Sequence, residues 1–373
     1  EIGHGISTTL YSISKRSGII ERYKMFASLL VAPITVGFGG SVGLQGPAVS
    51  TGAALGSNVA SLFHMNAKTR MLLIGCATAG AMSSMFKAPV AAIVFAIEIF
   101  SLDLVFASLV PLLLASIAAV ITSYFFRGTD VLFSFELLDA WRVKDIVFYV
   151  LLGLATGIAS VYFSKIYFLI TRFFSRFSNA YKKIGIAAIA IGFMLYLFPP
   201  LYGEGYGLIN NLLNGKTEAA LSGIQYQIDF NNIWMVIVIL LIIAVFKAIA
   251  MTTTFAAGGV GGIFIPTLFM GSTLGNAVAK AINQFGFKVS EANFTLLGMT
   301  GLMAGVLHAP LTAIFLIAEI TGGYDLFVPL MLVATISFGF TKYFVPNSIY
   351  TAELAKRGEL ITNDKDKLSL IHI

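Results

Sequence analysis

The residues of this chain that could do chemistry lie in two glycine-broken stretches, "GGSVGLQGP" (39–47) and "GGVGGIFIP" (258–266). Neither carries a charged side chain, and Gln45 stands in the first between Leu44 and Gly46–Pro47. Glycines ahead of a helix permit tight turns and leave backbone N–H groups uncovered. Pro47 and Pro266 fall where the first turn of a helix accepts proline. A helix N-terminus offers unpaired N–H donors and the positive end of the helix dipole. Two such ends facing one another hold an anion without any lysine or arginine. A small, partly dehydrated anion such as chloride suits backbone donors, and a neutral site lets it leave again, which conduction requires.

Other chemistries find little here. Gly39–Gly43 spells G-x-S-x-G, but a nucleophile elbow needs a preceding strand and a triad, and a glycine-broken apolar segment supplies neither. Cys76 is the single cysteine, so there is no disulfide framework and no thiolate cluster. The four histidines (His4, His64, His308, His372) are scattered, and no H-E-x-x-H occurs. The expectation is a protein that is not an enzyme and carries no cofactor.

The elements that must position these stretches belong to a membrane. Hydrophobic residues make up 57% of the 373 and charged ones 11%, against about 25% charged in a soluble domain. The runs Met25–Phe63, Leu104–Phe126, Ala248–Ala279 and Ala292–Ala318 hold no Asp, Glu, Lys or Arg. Each exceeds the roughly 20 residues that span a bilayer. The fold class is therefore all-α, a polytopic membrane protein. The net charge of +6 gathers in short segments such as "KRSGIIERYK" and "AKRGELITNDKDK". That pattern reflects loop topology and not nucleic-acid binding, since basic residues are not interleaved with aromatics.

The chain also repeats itself. Gly39, Gly40, Gly43, Pro47, Gly52, Leu55, Gly56, Val59 and Ala60 recur at a constant offset of 219 residues. Gly80, Met82, Ala88–Pro89, Ala92–Ile93 and Glu98–Ile99 recur at an offset of 221. Two blocks at nearly one offset indicate a tandem duplication, and transporters commonly invert the second copy and build the site where broken helices meet. The expected division is 1–126 for the first repeat, 127–143 for a polar linker, 144–354 for the second repeat and 355–373 for a charged cytoplasmic segment leading to a further region. The second half is expected to open at a Lys144–Phe163 helix, whose counterpart would precede Glu1, so the first unit is expected to lack its opening helices.

"GHGIS" (3–7), "GLQGP" (43–47), "GGIFIP" (261–266) and Tyr350 in "NSIYTAELAKRG" resemble, in order and spacing, the four anion-pathway elements of CLC chloride channels and chloride/proton antiporters. The segment "KAIAMTTTFAAGGVGGIFIPTLFMGSTLG" (247–275) is similar to that family throughout. The resemblance implies an anion site built from His4, Gly43, Leu44, Gln45, Gly46, Gly262, Ile263, Phe264 and Tyr350. Within it, Ile263 and Phe264 offer backbone N–H groups, Tyr350 its hydroxyl, and Gln45 takes the gating position. It further implies chloride as the ion moved, the lipid bilayer of a prokaryotic plasma (inner) membrane as the setting, and a homodimer with one pathway per subunit.

Three positions depart from the family pattern. The gating residue is usually glutamate, whose carboxylate competes with the anion and carries protons in the exchangers; an amide does neither. The internal carboxylate that follows "FAIE" in exchangers is here Ile99. His4 and Ser7 replace serine and proline of the usual G-S-G-I-P. The expected function is passive chloride conduction uncoupled from protons. The alternative is a chloride/proton antiporter in which Gln45 is an engineered mimic of a protonated glutamate. Several remaining features read as structural. Gly52, Gly56, Gly271 and Gly275 fit small-residue helix packing. Glu98 and Glu319, at one repeat position, share a role near a helix end, and His308, aligned with Lys87, sits at a helix start or loop.

Overall fold

The computed structural model describes residues 5–100, 106–128, 132–133 and 140–356. His4, much of the 127–143 linker and the segment from 357 onward lie outside these residues. The first half consists of α1 (Gly5–Lys15), α2 (Lys24–Gly37), α3 (Gln45–Leu62), α4 (Ala67–Phe86), α5 (Pro89–Phe100) and α6 (Phe106–Arg127). The second half opens with α7 (Ile146–Ser175), longer than the expected Lys144–Phe163 because apolar residues continue through a further three turns, and continues with α8 (Ala180–Leu197). After the short α9 (Tyr206–Leu213) and α10 (Thr217–Ala220) come α11 (Ile233–Ala256), α12 (Phe264–Gln284), α13 (Glu291–Leu307), α14 (Pro310–Ile320), α15 (Phe327–Phe344) and α16 (Ala352–Lys356).

Composition sorts these helices into two layers. By length and apolarity α6, α7, α8, α11 and α15 can each cross a membrane, and side chains such as Leu114, Phe125, Ile189 and Phe193 point outward from them. The protein is an integral membrane protein. The glycine-, serine- and asparagine-bearing α3 and α12 are instead enclosed by protein, since irregular backbone and small polar residues survive at membrane depth only where other chain covers them. A Cβ at Gly52 would lie 2.7 Å from the Ala77 carbonyl, and one at Gly271 or Gly275 would strike α13 at the Gly298 or Phe294 carbonyl. The spaced glycines thus let α3 lie on α4, and α12 on α13, with backbones in contact.

The duplication is visible in the backbone. Gly39 and Gly258 have φ of 95° and 100°, and Lys87 and His308 have φ of 54° and 55°. Each of the latter two is the left-handed residue between a long helix and the Ala–Pro that begins the next.

Glu98 and Glu319 explain how the two copies are joined. Glu98, near the end of α5, accepts hydrogen bonds from the Leu311 N–H (3.2 Å), the Thr312 N–H (2.8 Å) and the Thr312 hydroxyl (2.6 Å) at the start of α14. Glu319, near the end of α14, accepts from the Val90 N–H (3.0 Å) and the Ala91 N–H (2.7 Å) at the start of α5. Each helix therefore caps the other, which requires them to run antiparallel and shows the repeat to be inverted. A carboxylate at a helix N-terminus satisfies orphan donors and meets the dipole's positive end. Losing such a partner costs about 1–3 kcal/mol. Both Glu98→Ala and Glu319→Ala are expected to lower the thermal midpoint in detergent, Glu98→Ala more because three donors lose their acceptor. Equal midpoints for wild type and both variants would remove this role.

Candidate functional site

The loops ahead of α3 and α12 pair directly. The Gly43 N–H donates to the Gly262 carbonyl at 3.0 Å, and the Gly262 N–H donates to the Gly43 carbonyl at 2.6 Å, a two-residue antiparallel bridge. Such a bridge sets α3 and α12 starting from one point, and no side chain separates them. A Cβ on Gly46 would fall 2.8 Å from the Gly262 Cα. Helix geometry leaves the leading N–H groups of α3 and α12 without intrahelical acceptors. The N–H groups of Ile263 and Phe264 reach no protein acceptor among the described residues. The Phe264 ring anchors its helix start, packed on Phe86 with centroids 5.4 Å apart and on Phe95 at 6.3 Å.

A third helix packs against the start of α3. Gly5, the first residue of α1, lies so close that a Cβ there would be 2.6 Å from the Ser50 Oγ and 3.0 Å from the Gly46 carbonyl oxygen. Beside it opens a cleft lined by Thr9, Ser28 and Ser50, with Lys24 also on its wall. The Ser50 hydroxyl is buried and has no partner among the described residues.

Tyr350 sits in a turn closed by the Thr351 and Ala352 N–H groups on the Ser348 carbonyl, at 3.1 and 2.8 Å. It is 4% exposed, and its hydroxyl finds no partner among the described residues. A buried polar atom left unpaired costs free energy unless something other than the chain satisfies it. Tyr350 connects to the helix starts through α16, which packs on α1. Gly43, Leu44, Gln45, Gly46, Gly262, Ile263 and Phe264 are thus brought together directly, Tyr350 through intervening helices, and His4 lies outside the described residues.

Gln45 is 3% exposed, and its amide is turned toward the segment ahead of and at the start of α9. Its Nε2 donates to the Tyr206 hydroxyl at 2.7 Å and to Glu204 Oε1 at 3.2 Å, while the Leu44 N–H donates to the same Glu204 oxygen at 2.9 Å. Glu204 lies in the loop between α8 and α9. That loop is held by Lys247, whose fully buried Nζ donates to the Gly203 carbonyl at 2.8 Å and the Leu201 carbonyl at 3.4 Å. The ammonium also stands 4.6 Å from the centre of the Phe269 ring. Ser41, the serine of the G-x-S-x-G match, donates to the Leu201 carbonyl at 2.6 Å and so ties the first loop to the same segment. It is a strut between the two loops.

The cluster of Glu204, Tyr206 and Lys247 is absent from the sequence reading. Its signal was present: Lys247 is the one charge inside the apolar run of α11, and charges at membrane depth mark functional sites. Ile99, at the place of the internal carboxylate, is 8% exposed on α5 and offers no proton acceptor.

The sequence profile of the voltage gated chloride channel family matches residues 1–342. The chain belongs to this family. Members of this family are anion transporters or channels. A curated relative, the H(+)/Cl(-) exchange transporter ClcA of Vibrio cholerae, is 28% identical over 85% of this chain and 66% of its own length. The chain therefore spans just under two thirds of that relative. Among solved structures, a slow cyanobacterial Cl-/H+ antiporter superposes with a TM-score of 0.73 at 20% identity, covering 97% of this chain and 87% of that one. A CLC-type fluoride/proton antiporter superposes with a TM-score of 0.67 at 24% identity, covering 93% and 85%. At these identities the structural likeness shows the fold.

Proposed function

We propose that this chain conducts chloride passively across the membrane, past the paired starts of α3 and α12, without an obligatory exchange for protons. The observation that carries the reading is the Gly43–Gly262 bridge, which sets two helix N-termini at one point. Their combined N–H groups and dipole ends attract an anion, yet no fixed positive charge holds it there. The buried hydroxyls of Tyr350 and Ser50, unpartnered among the described residues, would add donors to that route. Coupling to protons needs a titrating group at the gate and an acceptor on the inner side. Gln45 does not itself ionise, and whatever titrates beside it, Ile99 at the place of the inner acceptor cannot take a proton onward, so the inner step is missing. The setting we propose is the plasma (inner) membrane of a prokaryote, in line with the bacterial source of the curated relative. There the protein would act as a homodimer with one pathway per subunit, which its mass in detergent checks.

Chloride flux from phospholipid vesicles containing the full chain is the test. A chloride gradient is expected to dissipate through the protein with no uphill proton movement. Sustained proton pumping driven by that gradient would overturn the uncoupled reading in favour of exchange, the activity named for the relative. Absence of chloride flux at any pH would overturn conduction itself.

A further inference from the structure

Glu204 reaches the gate from a different part of the chain. It and Gln45 are 159 positions apart, yet its carboxylate holds both the Leu44 N–H, just ahead of the first turn of α3, and the Gln45 amide. We propose that Glu204 is the tethered anion of this pathway: ionised, it holds the outer donors of the α3 start, and protonated, it releases them to a passing chloride.

Three observations point this way. First, the acceptor is a single oxygen serving a backbone N–H at 2.9 Å and an amide N–H at 3.2 Å, both of which a chloride ion could equally use. Hydrogen bonds to an ionised acceptor are about twice as strong as neutral ones, so loss of its charge loosens both together. Second, the carboxylate is only half-buried, so solvent protons can reach it. Third, its backbone is fixed: Lys247 binds the carbonyls of Leu201 and Gly203 on either side of Tyr202, and Tyr202 donates its hydroxyl to the Gly37 carbonyl. A fixed loop lets the side chain leave its donors without the loop leaving with it.

The titratable and charged groups around Glu204 are few. Burial pushes the Glu204 carboxyl above the ordinary carboxylate range, against the opposing pull of the Leu44 N–H, the Gln45 amide and the charge of Lys247 of α11, and Tyr206 of α9 faces it across the Gln45 amide. Arg127, at the end of α6, acts on Tyr206 from further away. Gln45 and Leu44 of the α3 start are neutral. In this set Glu204 is the group whose protonation removes a negative charge from the α3 start. The proton comes from solvent and returns to it, so acid raises flux without moving protons across the membrane.

The inference rests on the conduction reading, and the test separates the two. The full chain and its variants are reconstituted in phospholipid vesicles, and initial chloride efflux is measured at equal pH on both sides. Wild-type flux is expected to rise about tenfold for each unit of pH lowered while the ionised form predominates, because the protonated share rises by that factor. Glu204→Gln keeps an oxygen for the Leu44 N–H but cannot ionise. It should conduct at alkaline pH near the wild-type acid level, with a flat profile. Glu204→Asp keeps a titrating carboxyl and should restore the acid response, which a purely structural loss would not. Flux that depends on pH identically in wild type and Glu204→Gln would overturn the role of Glu204 while leaving conduction intact. A folded wild type with no flux at any pH would overturn the conduction reading and this inference together.

Discussion

Gln45→Glu is expected to cut chloride flux at neutral pH about tenfold to a hundredfold and to make the remainder recover with acid. A carboxylate at position 45 is an anion tied to the start of its own helix, within reach of the donors a chloride would use. Hydrogen bonds to charged groups contribute about 1.5–3 kcal/mol, and each 1.4 kcal/mol is about a factor of ten in occupancy. The substitution also replaces the amide that now donates to Glu204 at 3.2 Å and to the Tyr206 hydroxyl at 2.7 Å. Two carboxylates at hydrogen-bond range cannot both ionise easily, so they should share a proton and titrate as a pair. The acid recovery should therefore be spread over two steps in Gln45→Glu. It should collapse to one step when Glu204→Gln is added. Initial efflux from vesicles across a pH series reads both. If Gln45→Glu conducts as wild type does at every pH, residue 45 does not face the ion.

Gly262→Ala should abolish flux and destabilise the fold. A Cβ there would lie 2.6 Å from the Gly46 nitrogen and 3.0 Å from its Cα. These are backbone atoms of a helix start, not the end of a side chain that can swing aside. Relief requires α3 and α12 to separate, breaking the paired bonds between Gly43 and Gly262 at 3.0 and 2.6 Å. Overpacking of this kind costs about 1–3 kcal/mol, and the donors would lose their common point. Gly185, in α8, has open space where its Cβ would go, so Gly185→Ala serves as the control. It should hold or raise stability by up to about 1 kcal/mol, since alanine is the better helix former. Thermal midpoints and chloride efflux of the two variants make the comparison. Wild-type flux in Gly262→Ala would mean that close approach of the two starts is not needed for transport.

The sequence alone was enough for the membrane class, the duplication and the two broken segments. Charge-free runs longer than a bilayer span, glycines recurring at one offset and prolines at helix starts are local properties, written in composition and spacing. The roles of Glu98 and Glu319 were half legible: their shared repeat position marked them as structural. That each caps the other's helix appeared only when α5 and α14 lay antiparallel. Gln45 was legible as a neutral residue where a carboxylate is usual, and from that residue alone the gate reads as free of any titrating group. Only the tertiary structure brings a carboxylate to that residue, by laying the 202–205 loop against the start of α3 and pinning it with a lysine from α11. No periodicity records such a contact, because hydrogen bonds between segments some 160 positions apart depend on how helices pack, and that packing is set by surfaces which the linear order of residues does not display.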